Sequence, residues 1–163
     1  MTNHIIEPSK ETLHGYFSID LSPILTIDSG DTVVYSTLDA GWNLIDQSMP
    51  FNFEERRKFT PFDREKHTGH ALCGPIAIKG AEPGMALEII IKEIQPGKWG
   101  WSGAGGYDSP WNRALNMVEG EELVLQWTIS PEEGTATNQL GWIVPLKPTM
   151  GIMGMPFYRM KLW

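Results

Sequence analysis

Side chains that could bind a metal or transfer a proton are concentrated between residues 39 and 73. One short segment combines acidic, imidazole and thiol groups, namely Asp63, Glu65, His67, His70 and Cys73. These are the side-chain types that zinc binds in proteins. On an extended chain, however, His67 and His70 point to opposite faces, and Gly69 disfavours the helix that would align them. We therefore expect at most one of the two histidines to line a given pocket.

Each candidate also has a purely structural interpretation. Taken without context, His70 is more often a hydrogen-bonded, half-buried histidine than a metal ligand. Cys73 lies between Leu72 and Gly74 and is typical of a small buried residue, because nothing beside it except a histidine would lower the pKa of its thiol. Asp39 ends the stretch VVYSTLD. A carboxylate at a strand end can cap a turn or act in catalysis, and both interpretations stay open.

The elements that position these groups are predicted to be strands. The stretch ILTIDSGDTVVYST predicts a hairpin, with its turn at residues 28–31. Residues 47–68 have no sustained apolar period, and KWGWSGAGGYDSPW predicts a loop. No helix of ten or more residues is indicated. The other predicted strands cover residues 75–78, 85–94 (with Leu87, Ile89 and Ile91 on one face), 123–129 and 142–146, and the segment GAEPG between the first two is a turn. The pattern predicts a single domain over residues 1–163, an all-β antiparallel sandwich or jelly roll with Gly/Pro-rich turns.

The composition limits the class of partner. The 163 residues carry 20 acidic and 13 basic side chains, a formal charge of -7, and no basic block with interleaved aromatics, which argues against a nucleic-acid partner. The start MTNHIIEPSKETL lacks the pattern of a secretory signal, and no apolar run approaches the ~20 residues of a membrane helix. The single cysteine excludes an intramolecular disulfide and agrees with a reducing compartment. We expect a cytoplasmic protein without a membrane partner.

Two separated motifs, in the same order, resemble the acetamidase/formamidase family. The first is PILTIDSGDTVVYSTLDAGW, a strand, a Gly-Asp turn and a strand that ends in an aspartate. The second is HALCGPIAIKGAEPGMALEIIIKEI, a histidine before a Gly-Pro-Ile strand, followed by a Gly-Ala-Glu-Pro-Gly turn and an aliphatic strand. The resemblance covers residues 13–155, and the tail 156–163 diverges from it.

The resemblance implies a jelly-roll-like β fold and hydrolysis of short linear amides, such as formamide or acetamide, to a carboxylate and ammonia. It thus implies an amidase that acts on carbon–nitrogen bonds other than peptide bonds. Family members hold a divalent metal, often zinc, and their aspartate and histidine correspond here to Asp39 and His70. The resemblance thus implies that Asp39 and His70 act both as metal ligands and in catalysis. Segments that complete the family site, Gly-Gly-Asn-Xaa-Asp and Gly-Asp-Xaa-His, do not occur in this sequence, so part of the site is expected to be missing.

Two alternatives belong to other functional classes. The first is a non-catalytic remnant of the fold that self-associates as a homo-oligomer, because strands without partners would expose an apolar face such as Leu87, Ile89 and Ile91. The second is a ligand-binding sandwich in which aromatic side chains of the predicted loop stack on a sugar or another flat ligand, although such side chains more often close one end of a sandwich. These aromatic residues are Trp99, Trp101, Tyr107 and Trp111.

Overall fold

The computed structural model describes residues 1–44, 57–60, 63 and 67–156. Regular structure in these residues consists of β-strands and one short helix, which confirms the all-β class. The chain divides into two compact units: residues 1–44, 57–91 and 150–156 belong to the first, and residues 92–149 to the second. The single-domain organisation stays a prediction. Most of the irregular stretch 47–68, Glu65 and the tail from residue 157 lie outside the described residues.

The first unit contains three two-stranded sheets. Two of them are parallel, β1 with β4 and β3 with β6, whereas β2 and β5 are antiparallel. The expected antiparallel arrangement is therefore wrong for two of the three pairs. The strands are β1 (Asn3–Ile6), β2 (Leu13–His14), β3 (Leu25–Ile27), β4 (Thr32–Tyr35), β5 (Leu72–Cys73) and β6 (Ile76–Ile78).

The predicted hairpin is wrong in its pairing, although both of its strands and its turn are present. Asp31 N–H donates to the Asp28 carbonyl across the turn, and Gly30 adopts a φ of 90°. The strand that follows nevertheless pairs with β1. Asp31 accounts for this choice, because its carboxylate accepts hydrogen bonds from the Thr2 N–H (2.7 Å) and from His4 Nε2 (3.0 Å) and so holds the N-terminal strand beside β4.

The buried centre of the first unit lies next to the predicted site residues. Leu13, Leu38 and Trp42 form its core, and Phe59, Ala71 and Cys73 pack against them as partly buried side chains. Leu13 belongs to β2, whereas Leu38 and Trp42 flank Asp39 on either side. Burial of the apolar neighbours therefore fixes the backbone on both sides of Asp39.

The second unit is one antiparallel sheet in the order β10-β9-β8-β7, with a short helix between β7 and β8. The strand predicted over residues 123–129 is confirmed as β8. The bounds are β7 (Trp99–Ala104), α1 (Pro110–Ala114), β8 (Leu123–Ser130), β9 (Thr135–Asn138) and β10 (Ile143–Pro145).

The predicted loop over residues 98–111 is wrong, because its first half is strand β7. Gly100 lies opposite Trp127, and a Cβ on Gly100 would come within 3.4 Å of Ile129 Cδ1. Glycine interrupts the alternating pattern by which a strand is recognised in the sequence. In the structure it leaves space for large side chains from β8. The second half contains α1, whose N-cap Ser109 accepts a hydrogen bond from the Asn112 N–H at 3.0 Å.

The strand predicted over residues 85–94 is also wrong, since this segment pairs with no described strand. Leu87, Ile89 and Ile91 are 40%, 50% and 47% exposed. The aliphatic residues have high β propensity, but propensity without a neighbouring strand does not make a sheet. The non-catalytic alternative expects these side chains to be exposed, but Ile90 on the other side of the segment is 73% exposed as well. Across the described ranges, no helix has the length and apolar character needed to cross a membrane.

Candidate functional site

Two backbone segments that carry the predicted site residues lie side by side in the first unit. Ala71 N–H donates to the Ala40 carbonyl at 3.3 Å, and Trp42 Nε1–H donates to the Gly69 carbonyl at 2.7 Å. Asp39 precedes Ala40, and His70 precedes Ala71. Asp39 and His70 are 31 positions apart in the sequence, but they lie on backbone segments that are hydrogen-bonded to each other.

Trp42 anchors this corner. Its ring is buried and stacks on the His67 ring, with centroids 4.2 Å apart and an angle of 32° between the planes. Its φ of 66° lies in the left-handed region, which a tryptophan adopts only when the surrounding structure holds it there. The indole thus ties the segment after Asp39 to the segment before His70.

The carboxylate of Asp39 is held by Asn43. Oδ2 of Asp39 accepts hydrogen bonds from the Asn43 N–H (3.0 Å) and from Asn43 Nδ2–H, and the Asp39 carbonyl accepts one from the Trp42 N–H (2.9 Å). A Cβ on Gly41 would approach Asn43 Nδ2 to 3.1 Å, so the glycine leaves space for this pair. These bonds give Asp39 the turn-capping role, and Oδ1 accepts no hydrogen bond from the described residues.

Asn43 is a site residue that the sequence analysis missed. It is 2% exposed, and its Oδ1 has no hydrogen-bond partner among the described residues. A buried amide oxygen without a donor costs free energy, on the order of 1–3 kcal/mol. The amide nitrogen is already bonded to a carboxylate, so exchanging the two amide atoms would place two acceptors against each other. The signal in the sequence was an asparagine four residues after the motif aspartate.

The two histidines of the segment have different environments. His70 is exposed, whereas His67 is buried and its Nδ1 accepts a hydrogen bond from the Asp63 N–H at 2.9 Å. The half-buried, hydrogen-bonded alternative for His70 is therefore wrong. Between the two histidines, Gly69 lies so close to the Gly15 carbonyl oxygen that no Cβ would fit there.

Cys73 has the structural environment that the sequence favours. It is partly buried in β5, and its Sγ lies 3.6 Å from the Ser36 carbonyl oxygen. Burial raises the pKa of the Cys73 thiol, and the charge of Glu7 raises it further. A thiol of this kind is a poor nucleophile at neutral pH.

The side chains around Asp39 and His70 provide only some of the ligands that a divalent cation needs. Asp39 offers a carboxylate oxygen, His70 an exposed imidazole, and Asn43 an unpaired amide oxygen. Catalytic zinc sites use three protein ligands, usually histidine, carboxylate or thiolate. In the part of the chain that the structure describes, no group of three such side chains is close enough to hold a metal.

Comparison with known proteins agrees with the two motifs. A Schizosaccharomyces pombe protein named "Putative formamidase C869.04" is 34% identical over 97 residues, which cover 58% of this chain and 22% of that relative. The chain therefore spans about a fifth of the length of the relative. No solved structure matches it. The model of the acetamidase/formamidase family matches residues 2–155, and the chain belongs to this family.

Proposed function

We propose that this chain contributes to the hydrolysis of short linear amides, of the formamide or acetamide type, through Asp39 and His70. The observation that carries the proposal is the pairing of their two segments, which places both motif residues beside one backbone hydrogen bond from Ala71 to Ala40. The relative that shares 34% identity carries the name of a formamidase. In the reaction, water adds to the amide carbon, the carbon–nitrogen bond breaks, and the products are a carboxylate and ammonia.

Asp39 is suited to bind and deliver a proton. Asn43 fixes its carboxylate through Oδ2, and Oδ1 has no described hydrogen-bond donor. A positioned carboxylate of this kind can accept a proton from the attacking water and return it to the leaving nitrogen. His70 is exposed, so a small substrate can reach its imidazole without a movement of the core.

Asp39 and His70 are also the residues that we propose as ligands of a divalent metal, zinc being the family expectation. With the ion bound, Oδ1 of Asp39 would be a ligand, and a carboxylate outside the described residues would transfer the proton. When bound, such an ion polarises the amide carbonyl and lowers the pKa of water toward ~7. The described residues provide these two candidate ligands and the amide oxygen of Asn43. Residues beyond the described part, or another chain, would have to supply the rest.

Partners and location follow as further proposals. The substrate is a small amide, and the exposed aliphatic face at Leu87, Ile89 and Ile91 favours self-association into a homo-oligomer. Self-association without catalysis, the first alternative from the sequence, rests on this same face. Sedimentation velocity over a range of concentrations measures it directly. We keep the cytoplasm as the proposed location, which cell fractionation would test.

The deciding experiment measures ammonia release from formamide and acetamide by the purified chain, with metal content determined on the same sample. We expect Asp39→Asn and His70→Ala each to abolish activity and reduce bound metal. Asp20→Asn is the matched control for the carboxylate, because it removes the same group at an exposed position elsewhere in the first unit and should retain activity. Metal bound at the wild-type level in both site variants would refute the ligand assignment. An inactive, metal-free and folded wild-type chain would favour the non-catalytic alternative.

A further inference from the structure

A cleft beside β2 is lined by a buried histidine, His14, which is not part of the proposed amide site. The cleft has a volume of about 230 Å³, and its apolar wall consists of Leu13, Leu21, Ile24 and Pro75. His14 lines it and is 9% exposed. Lys10 and Glu11 also line the cleft, and their charged groups pair at 3.4 Å. The cleft therefore presents an apolar wall, an opposed pair of charges and one imidazole.

The hydrogen bonds of His14 determine which ring nitrogen carries the proton. Nδ1 lies 2.8 Å from the Tyr16 carbonyl oxygen, and a carbonyl can only accept, so Nδ1 is the donor. The edge of the ring packs against Phe17, with centroids 6.5 Å apart. Burial lowers the pKa of His14, and the hydrogen bond to the Tyr16 carbonyl offsets this only in part, so the environment favours the neutral imidazole. In this neutral form Nε2 carries a lone pair and can only accept.

Nε2 of His14 has no hydrogen-bond donor among the described residues. It lies beside Gly74, where a Cβ would stand 3.9 Å from it. Gly74 has a φ of 131°, a conformation that disfavours other residues, and its N–H donates to the Thr12 carbonyl at 2.9 Å. The backbone at Gly74 is thus fixed without a side chain that could cover Nε2, and the acceptor is left for a molecule in the cleft.

We propose that this cleft binds a small uncharged molecule with one O–H or N–H donor on a short aliphatic body. The donor bonds to Nε2 of His14, and the aliphatic part packs against Leu21, Ile24 and Pro75. A volume of about 230 Å³ lies below the ~300–1,000 Å³ of pockets for drug-sized ligands, so the occupant has only a few heavy atoms. A short alcohol and a short amide share this chemistry. Neither Asp39 nor His70 lines the cleft, and its occupation does not depend on amide hydrolysis.

The test compares near-isosteric probes that differ only in their ability to donate. In protein labelled with ¹⁵N-histidine, the Nε2 resonance of His14 is followed during titration with 2-propanol and with acetone, and then with propionamide and 2-butanone. We expect 2-propanol and propionamide to shift this resonance saturably, with affinities about fivefold to tenfold higher than those of their acceptor-only counterparts, the range that one net hydrogen bond supplies. The donor that binds more tightly identifies the alcohol or the amide as the natural class. The resonance of His4 is the internal control and should not move.

His14→Asn is the matched variant, because the asparagine Nδ2 can still donate to the Tyr16 carbonyl while no atom replaces Nε2. Its affinities, measured by calorimetry, should no longer distinguish 2-propanol from acetone. Equal shifts of Nε2 with donors and acceptor-only probes, or the absence of a saturable shift, would overturn the proposal. So would a His14→Asn variant that keeps the preference for donors. If that variant does not fold, the wild-type comparison still decides.

Discussion

Replacement of Trp42 by phenylalanine tests whether the indole holds the two site segments together. The change removes the Nε1–H donor that bonds the Gly69 carbonyl at 2.7 Å and reduces the ring that stacks on His67. The lost hydrogen bond costs about 1 kcal/mol net, since Gly69 is exposed and its carbonyl regains water. The smaller buried ring and weaker stacking add about 1–2 kcal/mol. We expect the free energy of unfolding to fall by about 2–3 kcal/mol.

Urea unfolding and thermal unfolding, both followed by circular dichroism, measure this loss. For a chain of this size the expected fall in Tm is roughly 5–10 °C. Trp111→Phe is the matched control, because it makes the same chemical change at a side chain that is 80% exposed, and it should alter stability by less than about 0.5 kcal/mol. Equal stabilities of the Trp42→Phe and Trp111→Phe variants would refute the anchoring role of Trp42.

Three further predictions concern other parts of the molecule. The hydrogen bond from His4, followed by that from the Thr2 N–H, lowers the pKa of Asp31 to about 2 from its ordinary 3.8. The stabilisation of the folded state by this ionised carboxylate is therefore complete above pH 3.8 and is lost as the pH falls through about 2. If the stability of Asp31→Asn showed the same dependence on acid pH as that of the wild type, this would be contradicted. Cys73, whose thiol pKa is raised, should react with iodoacetamide at pH 8 several-fold more slowly in the folded protein than in urea, and equal rates would show an open thiol. Ser109→Ala removes the N-cap of α1 and should lower the free energy of unfolding in urea by about 1 kcal/mol. The control is Ser102→Ala on β7, which removes the hydroxyl that accepts from Trp127 Nε1–H. This control should leave the hydrogen-exchange protection of the α1 amides unchanged.

The sequence predicted which segments are extended better than it predicted how they pair. Alternating residues identified β8, and the Gly-Asp turn marked the boundary between β3 and β4. Pairing failed because it depends on contacts that no local pattern contains: Asp31 recruits β1 through Thr2 and His4. The prediction for β7 was wrong for a different reason. Its glycines interrupt the alternating pattern of the sequence, although its backbone pairs with β8 over six positions.

The candidate site was predictable where a motif carries it and not where packing builds it. The resemblance identified Asp39 and His70, and the structure places their segments together. Trp42 was missed as a site residue because its role depends on a left-handed φ and a hydrogen bond to the Gly69 carbonyl, neither of which has a pattern in the sequence. Asn43 was missed although its position four residues after Asp39 was visible, because its role depends on the hydrogen bonds to the Asp39 carboxylate. His67 and His70 could not be distinguished in advance, since the Trp42 ring that stacks on buried His67 lies 25 positions earlier in the sequence.

The two interpretations of Asp39, as a turn cap and as a chemical group, are compatible in this geometry. Capping uses Oδ2 of Asp39, which accepts both hydrogen bonds from Asn43. A chemical role requires an oxygen that accepts no hydrogen bond, and among the described residues Oδ1 meets this condition. The cap also fixes the rotation of the carboxylate, so Oδ1 keeps one direction relative to the backbone that carries His70. Asn43 in turn has a buried Oδ1 on the same corner that accepts no hydrogen bond from the described part of the chain. A structural role for Asp39 is therefore no argument against a chemical one, because the first supplies the orientation that the second needs.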